Sequence, residues 1–156
     1  MKAASFAYAK PRALAEALEL IARPGAKVLA GGQSLIPSLN MRLSSPELLV
    51  DITGLDELKG IRLDKDTVRI GALTTHAEIE RSDVVKKHLP LLAGAVPHIA
   101  HPAIRNRGTI GGSLALADPA AEYPACVLAL DATIVATGPK GERCGGRLRR
   151  GGGGAS

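Results

Sequence analysis

A pair of adjacent glycines between a strand and a helix constrains this chain most, because glycine lets the backbone turn tightly there and approach a ligand closely. The first glycine segment is Ala30-Gly31-Gly32-Gln33-Ser34-Leu35, which follows a buried strand predicted at 27–30 and opens a helix predicted over 35–43. The N-terminus of such a helix offers unpaired N–H groups and a partial positive charge, which suit an anion. The Ser34 hydroxyl either caps the helix or donates to a phosphate oxygen.

A second glycine pair has the same chemistry. The second glycine segment is Arg107-Gly108-Thr109-Ile110-Gly111-Gly112-Ser113, in which hydroxyl side chains flank the two adjacent glycines. Two such loops in one small domain predict a clasp around the two ends of a pyrophosphate, although either loop alone is more typical of an ordinary turn. The chain has neither the G-x-x-x-x-G-K-[ST] motif nor a G-x-G-x-x-G that follows a strand, so the common nucleotide motifs are excluded.

Length and composition indicate one globular domain, or two small lobes that share a core. The chain has 156 residues, of which 46% are apolar and 22% charged, as in globular proteins. No apolar run approaches the ~18 residues that cross a bilayer. Residues 1–6 contain no long apolar stretch of the kind found in secretory signals. A cytoplasmic protein without a transmembrane segment is therefore expected.

The net charge of +5 does not indicate a nucleic-acid partner. Four arginines crowd the last fourteen residues with no acid after Glu142, so the rest of the chain is close to neutral. Aromatic residues make up only 2% of the chain, which leaves few platforms for stacking bases. Cys126 and Cys144 are too few to hold an iron–sulfur cluster, which needs about four thiolates, and they predict no disulfide framework.

Periodicity in the first third of the chain predicts a small α/β unit. Apolar residues at helical spacing indicate a helix from Leu14 to Ile21, which Pro24-Gly25 ends. A second strand is predicted at 48–52, after the helix that follows the first glycine segment. Strand, helix and strand at this spacing favour parallel pairing.

From Gly60 onward the apolar period changes to two, which predicts a hairpin with strands at 61–63 and 68–70. Thr75 and Glu78 have the spacing of a capping box for a helix that ends near Arg81. The remaining elements are predicted as a helical stretch over 91–99 ended by His101-Pro102, a glycine-rich loop over 108–113, a helix over 123–130 and a strand over 133–136. Together these elements predict an α+β fold.

The C-terminal end departs from this pattern. Residues 137–142 are typical of a hairpin turn, but nothing in the glycine- and arginine-rich stretch that follows is predicted to pair with the strand ending near Ala136. An apolar strand edge would then stay open. A change of reading frame or an artificial end is the favoured interpretation of residues 143–156, ahead of an RNA-binding tail.

At its two glycine segments the sequence resembles the FAD-binding subunit of molybdenum hydroxylases, the family of xanthine and aerobic carbon monoxide dehydrogenases. The family's first loop reads A-G-G-x-S-L, which residues 30–35 match, and its second reads T-I-G-G-x, which residues 109–113 match. Residues 117–124 fit the short acidic segment that follows, and residues 70–75 fit the family's strand-to-helix junction. The resemblance covers residues 3–142, and two matched loops are far more specific than one.

The resemblance implies a two-lobed α+β FAD-binding domain of the molybdopterin dehydrogenase type. Its small N-terminal α/β lobe would span 1–56, a larger lobe with an antiparallel sheet 57–142, and an aberrant tail 143–156. Ile99 falls where an apolar residue contacts the cofactor, and Glu122 where an acid bonds the ribose, with Asp118 as its competitor. The cofactor-binding residues implied are Leu29, Ala30, Gly31, Gly32, Gln33, Ser34, Leu35, Ile36, Ile99, Thr109, Ile110, Gly111, Gly112, Ser113, Asp118 and Glu122.

The same resemblance implies a division of labour within a hetero-oligomer. A large molybdenum-cofactor subunit oxidises the substrate, a small subunit carries two [2Fe-2S] clusters, and FAD passes the electrons to NAD, quinone or another acceptor. No residue of this chain is predicted to be a general acid or base, because the flavin supplies the redox chemistry. His98 and His101 permit a metal pair on one helical face, but without a third ligand a capping or packing role is favoured.

Such subunits are nearly twice as long as this chain, so the rest of the second lobe, a further domain and some isoalloxazine contacts are expected to be missing. Two alternatives stay open: a stand-alone FAD-dependent oxidoreductase of the same fold, and a non-enzymatic chain, either a truncated remnant or a basic-tailed interaction module. Gln33 with Ser34 leans slightly toward the carbon monoxide dehydrogenase-like branch.

Overall fold

The structure, a computed structural model, describes residues 2–145. Its strands are β1 (Ala7–Ala9), β2 (Ala26–Leu29), β3 (Leu48–Asp51), β4 (Ile61–Asp64), β5 (Thr67–Ile70), β6 (Ile134–Gly138) and β7 (Gly141–Gly145). Its α-helices are α1 (Leu14–Ile21), α2 (Leu35–Asn40), α3 (His76–Arg81), α4 (Asp83–His88), α5 (Pro90–Ala95), α6 (Pro102–Arg105), α7 (Ile110–Leu116) and α8 (Glu122–Ala129). The mixture confirms the predicted α+β class.

The first third of the chain forms a three-stranded parallel sheet in the order β1-β3-β2. The parallel pairing of β2 with β3 confirms the prediction, and α1 and α2 are the connections that parallel strands require. Strand β1 was missed. It has only three residues, and its Tyr8 is 56% exposed, so it carries too little apolar alternation to be recognised.

The β4–β5 hairpin and the α3 capping box confirm two local predictions. Ile61 pairs with Ile70 and Asp64 with Thr67 across the antiparallel hairpin. The Thr75 side chain accepts from the Glu78 backbone N–H, and the Glu78 carboxylate accepts from the Thr75 backbone N–H at 2.7 Å. Both signals are local in sequence, so tertiary packing was not needed to read them.

The helical region between Ser82 and Arg105 is more broken than predicted. The predicted helix over 91–99 is α5 followed by a 3-10 turn over 96–98, and α4 was missed altogether. The predicted break before His101-Pro102 is present, but α6, which Pro102 begins, was missed. Proline suits this first position, since its missing N–H would have no partner inside the helix.

The second glycine segment was predicted to be a loop, but its glycine pair lies in the first turn of α7. Thr109 is the N-cap, and its hydroxyl accepts from the Gly112 N–H at 3.2 Å. Adjacent glycines usually weaken a helix, which is why the sequence suggested a loop. Here the threonine cap and tertiary contacts hold them in helical geometry.

The predicted open edge beside β6 was also wrong. Strand β7 pairs antiparallel with β6, and Ala136 lies opposite Arg143 in this register. Backbone hydrogen bonds of a hairpin do not depend on apolar side chains, so the unusual composition of this stretch did not prevent pairing. Residues 146–156 of the predicted tail lie outside the described part of the chain.

Two apolar clusters hold the elements together. The larger contains Ile79, Val85, Leu92, Val96, Ile110, Tyr123 and Cys126, all buried and contributed by the helical region. The smaller contains Ala17, Leu55 and Leu73, with Leu58 packed against it. Leu58 and Leu73 come after the parallel sheet in sequence, yet they pack in the same cluster as Ala17 of α1. The α/β unit and the residues that follow it therefore share this smaller core.

Candidate functional site

The two glycine segments lie in direct contact. A Cβ atom on Gly31 would overlap the carbonyl oxygen of Arg107 and lie 2.9 Å from the Gly108 Cα. Only glycine permits this approach of two backbones. The structure thus brings the two segments together, as the sequence predicted, although 76 positions separate Gly31 from Arg107 in the chain.

The first glycine segment presents backbone amides that the protein itself does not use. Gly32 has a φ of 73°, and a Cβ there would lie 2.7 Å from Ile36 Cδ1, so this position is strained for any side chain. Within residues 2–145, the backbone N–H groups of Gly32, Gln33 and Ser34 donate to no protein acceptor. Successive amides of this kind form a concave donor set that suits a phosphate group.

The structure also separates the two roles considered for Ser34. Its side chain is exposed and makes no capping hydrogen bond, although it occupies the N-cap position of α2. The neighbouring Gln33 is held instead, because its Nε2 donates to the Gly31 carbonyl oxygen at 3.1 Å. The Ser34 hydroxyl therefore retains its full capacity to bond a ligand.

The second glycine segment differs, because most of its backbone amides already donate to protein acceptors. Ile110 N donates to the Thr74 carbonyl at 3.0 Å, and Gly111 N donates to the Ala72 carbonyl at 2.9 Å. A Cβ on Gly111 would lie 2.6 Å from that same Ala72 oxygen. The first segment thus offers successive free amides, whereas most amides of the second are engaged and its backbone forms a wall of the site.

A buried histidine supports that wall. His76 N donates to the Gly108 carbonyl at 3.0 Å, and His76 Nδ1 lies 3.0 Å from the Tyr123 hydroxyl. Burial, with a smaller contribution from the positive charge of Arg105, lowers the pKa of His76, and Glu122 partly opposes that shift. Burial likewise raises the pKa of the Tyr123 phenol. Both side chains are therefore neutral at pH 7, as a buried pair should be.

Three other candidates come from outside the two segments and have different surroundings. Ile99 packs against the larger apolar cluster. Asp118 is exposed and accepts from the Ala120 N–H at 2.9 Å within a turn. Glu122 is half-buried at the first position of α8, and none of the described residues forms a hydrogen bond with its carboxylate.

The histidine pair does not form the arrangement considered from sequence. His98 ends the 3-10 turn, whereas His101 precedes α6, so they do not share a helical face. Both are exposed, and His101 makes no side-chain cap. The capping role favoured from sequence is therefore wrong for His101. In the described part of the chain no three potential ligands cluster as a metal site.

A small cavity adjoins both glycine segments. Its volume is about 140 Å³, and it is called the inter-segment cavity below. Sequence reasoning missed most of its residues because they come from separate loops and form no motif. The lining residues are Gly31, Thr53, Lys59, Leu73, Thr75, Arg107 and Thr109.

These features fit a cofactor with a diphosphate linkage. The free amides and the Ser34 hydroxyl match the acceptor oxygens of a phosphate, while the close backbone contact at Gly31 leaves the segment's outer side open. The half-buried Glu122 carboxylate has acceptor oxygens that suit a ribose hydroxyl. The fold and the paired glycine segments together define a nucleotide-cofactor domain built from a parallel α/β unit and a helical region.

The comparisons give this class its family. The family model described as the FAD binding domain in molybdopterin dehydrogenase matches residues 4–145. The carbon monoxide dehydrogenase medium chain of Hydrogenophaga pseudoflava is 45% identical over 140 residues, covering 88% of this chain and 49% of that protein. Subunit alpha of the 6-hydroxypseudooxynicotine dehydrogenase complex of Paenarthrobacter nicotinovorans is 52% identical over 145 residues, covering 92% and 49%.

Solved structures agree with these relatives. A carbon monoxide dehydrogenase from Hydrogenophaga pseudoflava matches with a TM-score of 0.90 at 44% identity, over 92% of this chain and 51% of that one. Quinoline 2-oxidoreductase from Pseudomonas putida 86 matches with a TM-score of 0.91 at 40% identity, over 94% and 52%. The chain belongs to the family of FAD-binding domains of molybdopterin dehydrogenases, and FAD is its cofactor.

The match is partial on the side of the relatives. The chain spans about half the length of the curated relatives it matches. Among residues 2–145, no helix is long and apolar enough to cross a membrane.

Proposed function

We propose that this chain is the FAD-binding part of the electron-transfer subunit of a molybdenum hydroxylase, and that residues 29–36 and 109–113 hold the cofactor. The free amides of Gly32, Gln33 and Ser34 carry this proposal. These N–H groups stand next to one another just before α2 and have no protein acceptor, so an anionic ligand can bond all three. Their place beside the second glycine segment supports a site formed by both.

The residues divide the work of binding. The Ser34 hydroxyl and the three amides bond the phosphate oxygens. Gly31 and Gly112 have no Cβ atom, so the backbone there can approach its neighbours and the cofactor closely. Leu29, Ala30, Leu35 and Ile36 supply the apolar walls on one side, and Ile110 and Ile99 supply them on the other. Thr109 and Gly111 hold the second segment in place through the Gly112 and Ala72 contacts.

The ribose contact falls to Glu122 rather than to Asp118. The Glu122 carboxylate is half-buried and free of hydrogen bonds to the described residues, whereas the Asp118 carboxylate is exposed and already engaged in its own turn. A half-buried carboxylate receives fewer hydrogen bonds from water than an exposed one. It therefore gains more from a hydrogen bond with a ligand hydroxyl. Ser113, the last residue of the second glycine segment, lies in α7 one turn after Thr109.

The proposed partners follow from the relatives rather than from the described residues. A large molybdenum-cofactor subunit and a small [2Fe-2S] subunit would pass electrons to this one, and the acceptor would be NAD, quinone or another oxidant. Bound FAD supplies the step between them, because it accepts electrons from one-electron carriers and releases them in pairs. The division of the chain at residues 56 and 57 and a cytoplasmic location stay predictions of the same proposal.

Replacing Ser34 by alanine tests the binding site without a folding penalty. Ser34 is exposed and caps nothing, so the S34A variant should unfold at the same urea concentration as the parent. It should bind FAD about 5- to 30-fold more weakly, because a hydrogen bond to a charged oxygen contributes about 1–2 kcal/mol. Quenching of flavin fluorescence during titration measures the dissociation constant.

Ser45→Ala is the matched control, since Ser45 is an exposed serine outside both glycine segments. It should leave the affinity unchanged. Equal FAD affinities for S34A, S45A and the parent chain would contradict the proposed phosphate contact. Substitution of Gly111 would not serve, because any side chain there collides with Ala72 and disturbs the fold. Copurification of a molybdenum subunit with the chain in its native host would separate this function from that of a stand-alone oxidoreductase.

A further inference from the structure

We propose that Arg107 and Lys59, which line the inter-segment cavity, are positioning residues that supply the positive charge for the FAD diphosphate. The inference rests on the proposed function and extends it to two cations outside the residues assigned to the cofactor. The starting observation is a shared boundary: Gly31 and Thr109, one from each glycine segment, line the same cavity as Arg107 and Lys59.

The charge balance of the assigned site requires such a contribution. Residues 29–36 and 109–113 contain no cation, and Asp118 and Glu122 add negative charge. A diphosphate diester carries about two negative charges, and backbone amides contribute only partial charges against them. Cations near the phosphates reduce the cost of removing that charge from water, and arginine is especially suited to phosphate geometry.

The hydroxyl groups around the inter-segment cavity do not replace these cations. The Thr53 hydroxyl donates to Asp51 Oδ1 at 2.6 Å, and Thr75 Oγ1 donates to Glu78 Oε2 at 2.7 Å. Both protons are thus committed to carboxylates. Thr109 Oγ1 accepts from Gly112, which leaves its own proton available. The side-chain donors that remain for an anion are therefore Arg107, Lys59 and the Thr109 hydroxyl, beside the backbone N–H groups of Gly31 and Thr109.

The two cations differ in how freely they can respond. Arg107 is exposed and forms no ion pair with any other described residue. Lys59 Nζ lies 2.7 Å from Asp56 Oδ1, but the side chains of Lys59 and Asp56 are 41% and 89% exposed. Such surface pairs are weak and easily exchanged. A phosphate can therefore compete with Asp56 for the ammonium, and removal of the Asp56 charge should favour the phosphate.

The test measures FAD affinity against salt concentration for the full chain and its charge variants. R107Q and K59Q should each weaken binding about 3- to 10-fold at low salt, and each should make the affinity less dependent on salt. D56N should have the opposite effect and tighten binding about 2- to 3-fold, because it frees Lys59. R62Q is the matched control, since Arg62 is an exposed cation on the β4–β5 hairpin and should change nothing.

Circular dichroism of each variant identifies any loss that comes from misfolding. If R107Q and K59Q keep the parent's affinity and salt dependence, or if their losses are equal at all salt concentrations, the proposed charge role is overturned. If the parent chain binds FAD and S34A weakens that binding, but R107Q and K59Q bind FAD as tightly as R62Q does, only this inference fails. If S34A and the parent also bind no FAD, the proposed function fails as well.

Discussion

Ala117 adopts a left-handed backbone conformation, with φ of 53° and ψ of 35°, where it ends α7. This conformation costs an L-residue about 1–2 kcal/mol and costs glycine nothing, although glycine loses more entropy on folding. Ala117→Gly should therefore raise the free energy of unfolding by about 0.5–1 kcal/mol. Urea denaturation measures the change.

The comparison for this variant lies two residues earlier. Ala115 is exposed within α7 and has ordinary helical geometry, so Ala115→Gly should lower the free energy of unfolding by about 1 kcal/mol. Changes of opposite sign in the free energy of unfolding would show that the left-handed backbone at Ala117 favours glycine. A loss at both positions would contradict the strain assigned there.

At the scale of single residues, the sequence predicted types of contact better than their partners. The capping box of Thr75 and Glu78 is local, and it forms as predicted. The need for glycine at position 31 was also predicted, but its cause, the Arg107 carbonyl, comes from 76 positions away and has no local signal. The same holds for the contact between His76 and Tyr123, which lie 47 positions apart in the chain.

Arg105 ties several secondary-structure elements together at the end of α6. Its Nε donates to Glu80 Oε2 at 3.0 Å, and Nη1 donates to the carbonyl oxygens of Ala100 at 2.8 Å and Ile99 at 3.2 Å. The Arg105 side chain is only 12% exposed, so its charge relies on these partners. A planar guanidinium makes all of these contacts at once, whereas the single ammonium of lysine cannot.

Arg105→Lys should accordingly lower the free energy of unfolding by about 2–3 kcal/mol, even though it preserves the charge. The midpoint of urea denaturation and the slope of the transition are the measurements. Arg81→Lys is the control at an exposed arginine in the last turn of α3, and it should stay within about 0.5 kcal/mol of the parent. If both variants are equally stable, Arg105 does not link the elements as argued.

Elements were predictable where their signal lies within a few residues. The β4–β5 hairpin and the parallel pair β2 and β3 follow from local periodicity. Helix α7 and strand β7 were not recognised, because a glycine pair and a glycine- and arginine-rich stretch have poor intrinsic propensity. In both cases the structure shows backbone partners that composition does not encode: the Ala72 and Thr74 carbonyls for α7, and β6 for β7.

At the scale of the whole molecule, His76 links distant parts of the chain behind the second glycine segment. Its backbone N–H donates to the Gly108 carbonyl, and its ring contacts the Tyr123 hydroxyl. Burial above all lowers the pKa of His76, and the Arg105 charge adds to that shift while Glu122 opposes it. In the unfolded chain the histidine pKa is about 6.5. Between the two values the unfolded state binds more protons, so stability rises with pH there.

The free energy of unfolding should thus be constant above about pH 7 and fall as the pH decreases below about 6.5, with a slope of up to about 1.4 kcal/mol per pH unit. The other histidines, His88, His98 and His101, are exposed. Asp51 titrates in a separate window. Burial alone would raise its pKa, but hydrogen bonds from Thr53 and Tyr8 and the nearby Lys10 charge outweigh this and lower it, so its contribution is lost only below about pH 4.

Urea denaturation at pH 7.5, 6.5 and 5.5 measures this dependence, with His76→Gln as the comparison. The variant should be less stable than the parent at pH 7.5, because it loses the shape and hydrogen bond of the buried ring. It should lose most of the pH slope as well, and the two proteins should approach each other in stability at pH 5.5. Equal slopes in parent and variant would mean that the acid sensitivity arises elsewhere and that the wall behind the cofactor site is indifferent to His76 protonation.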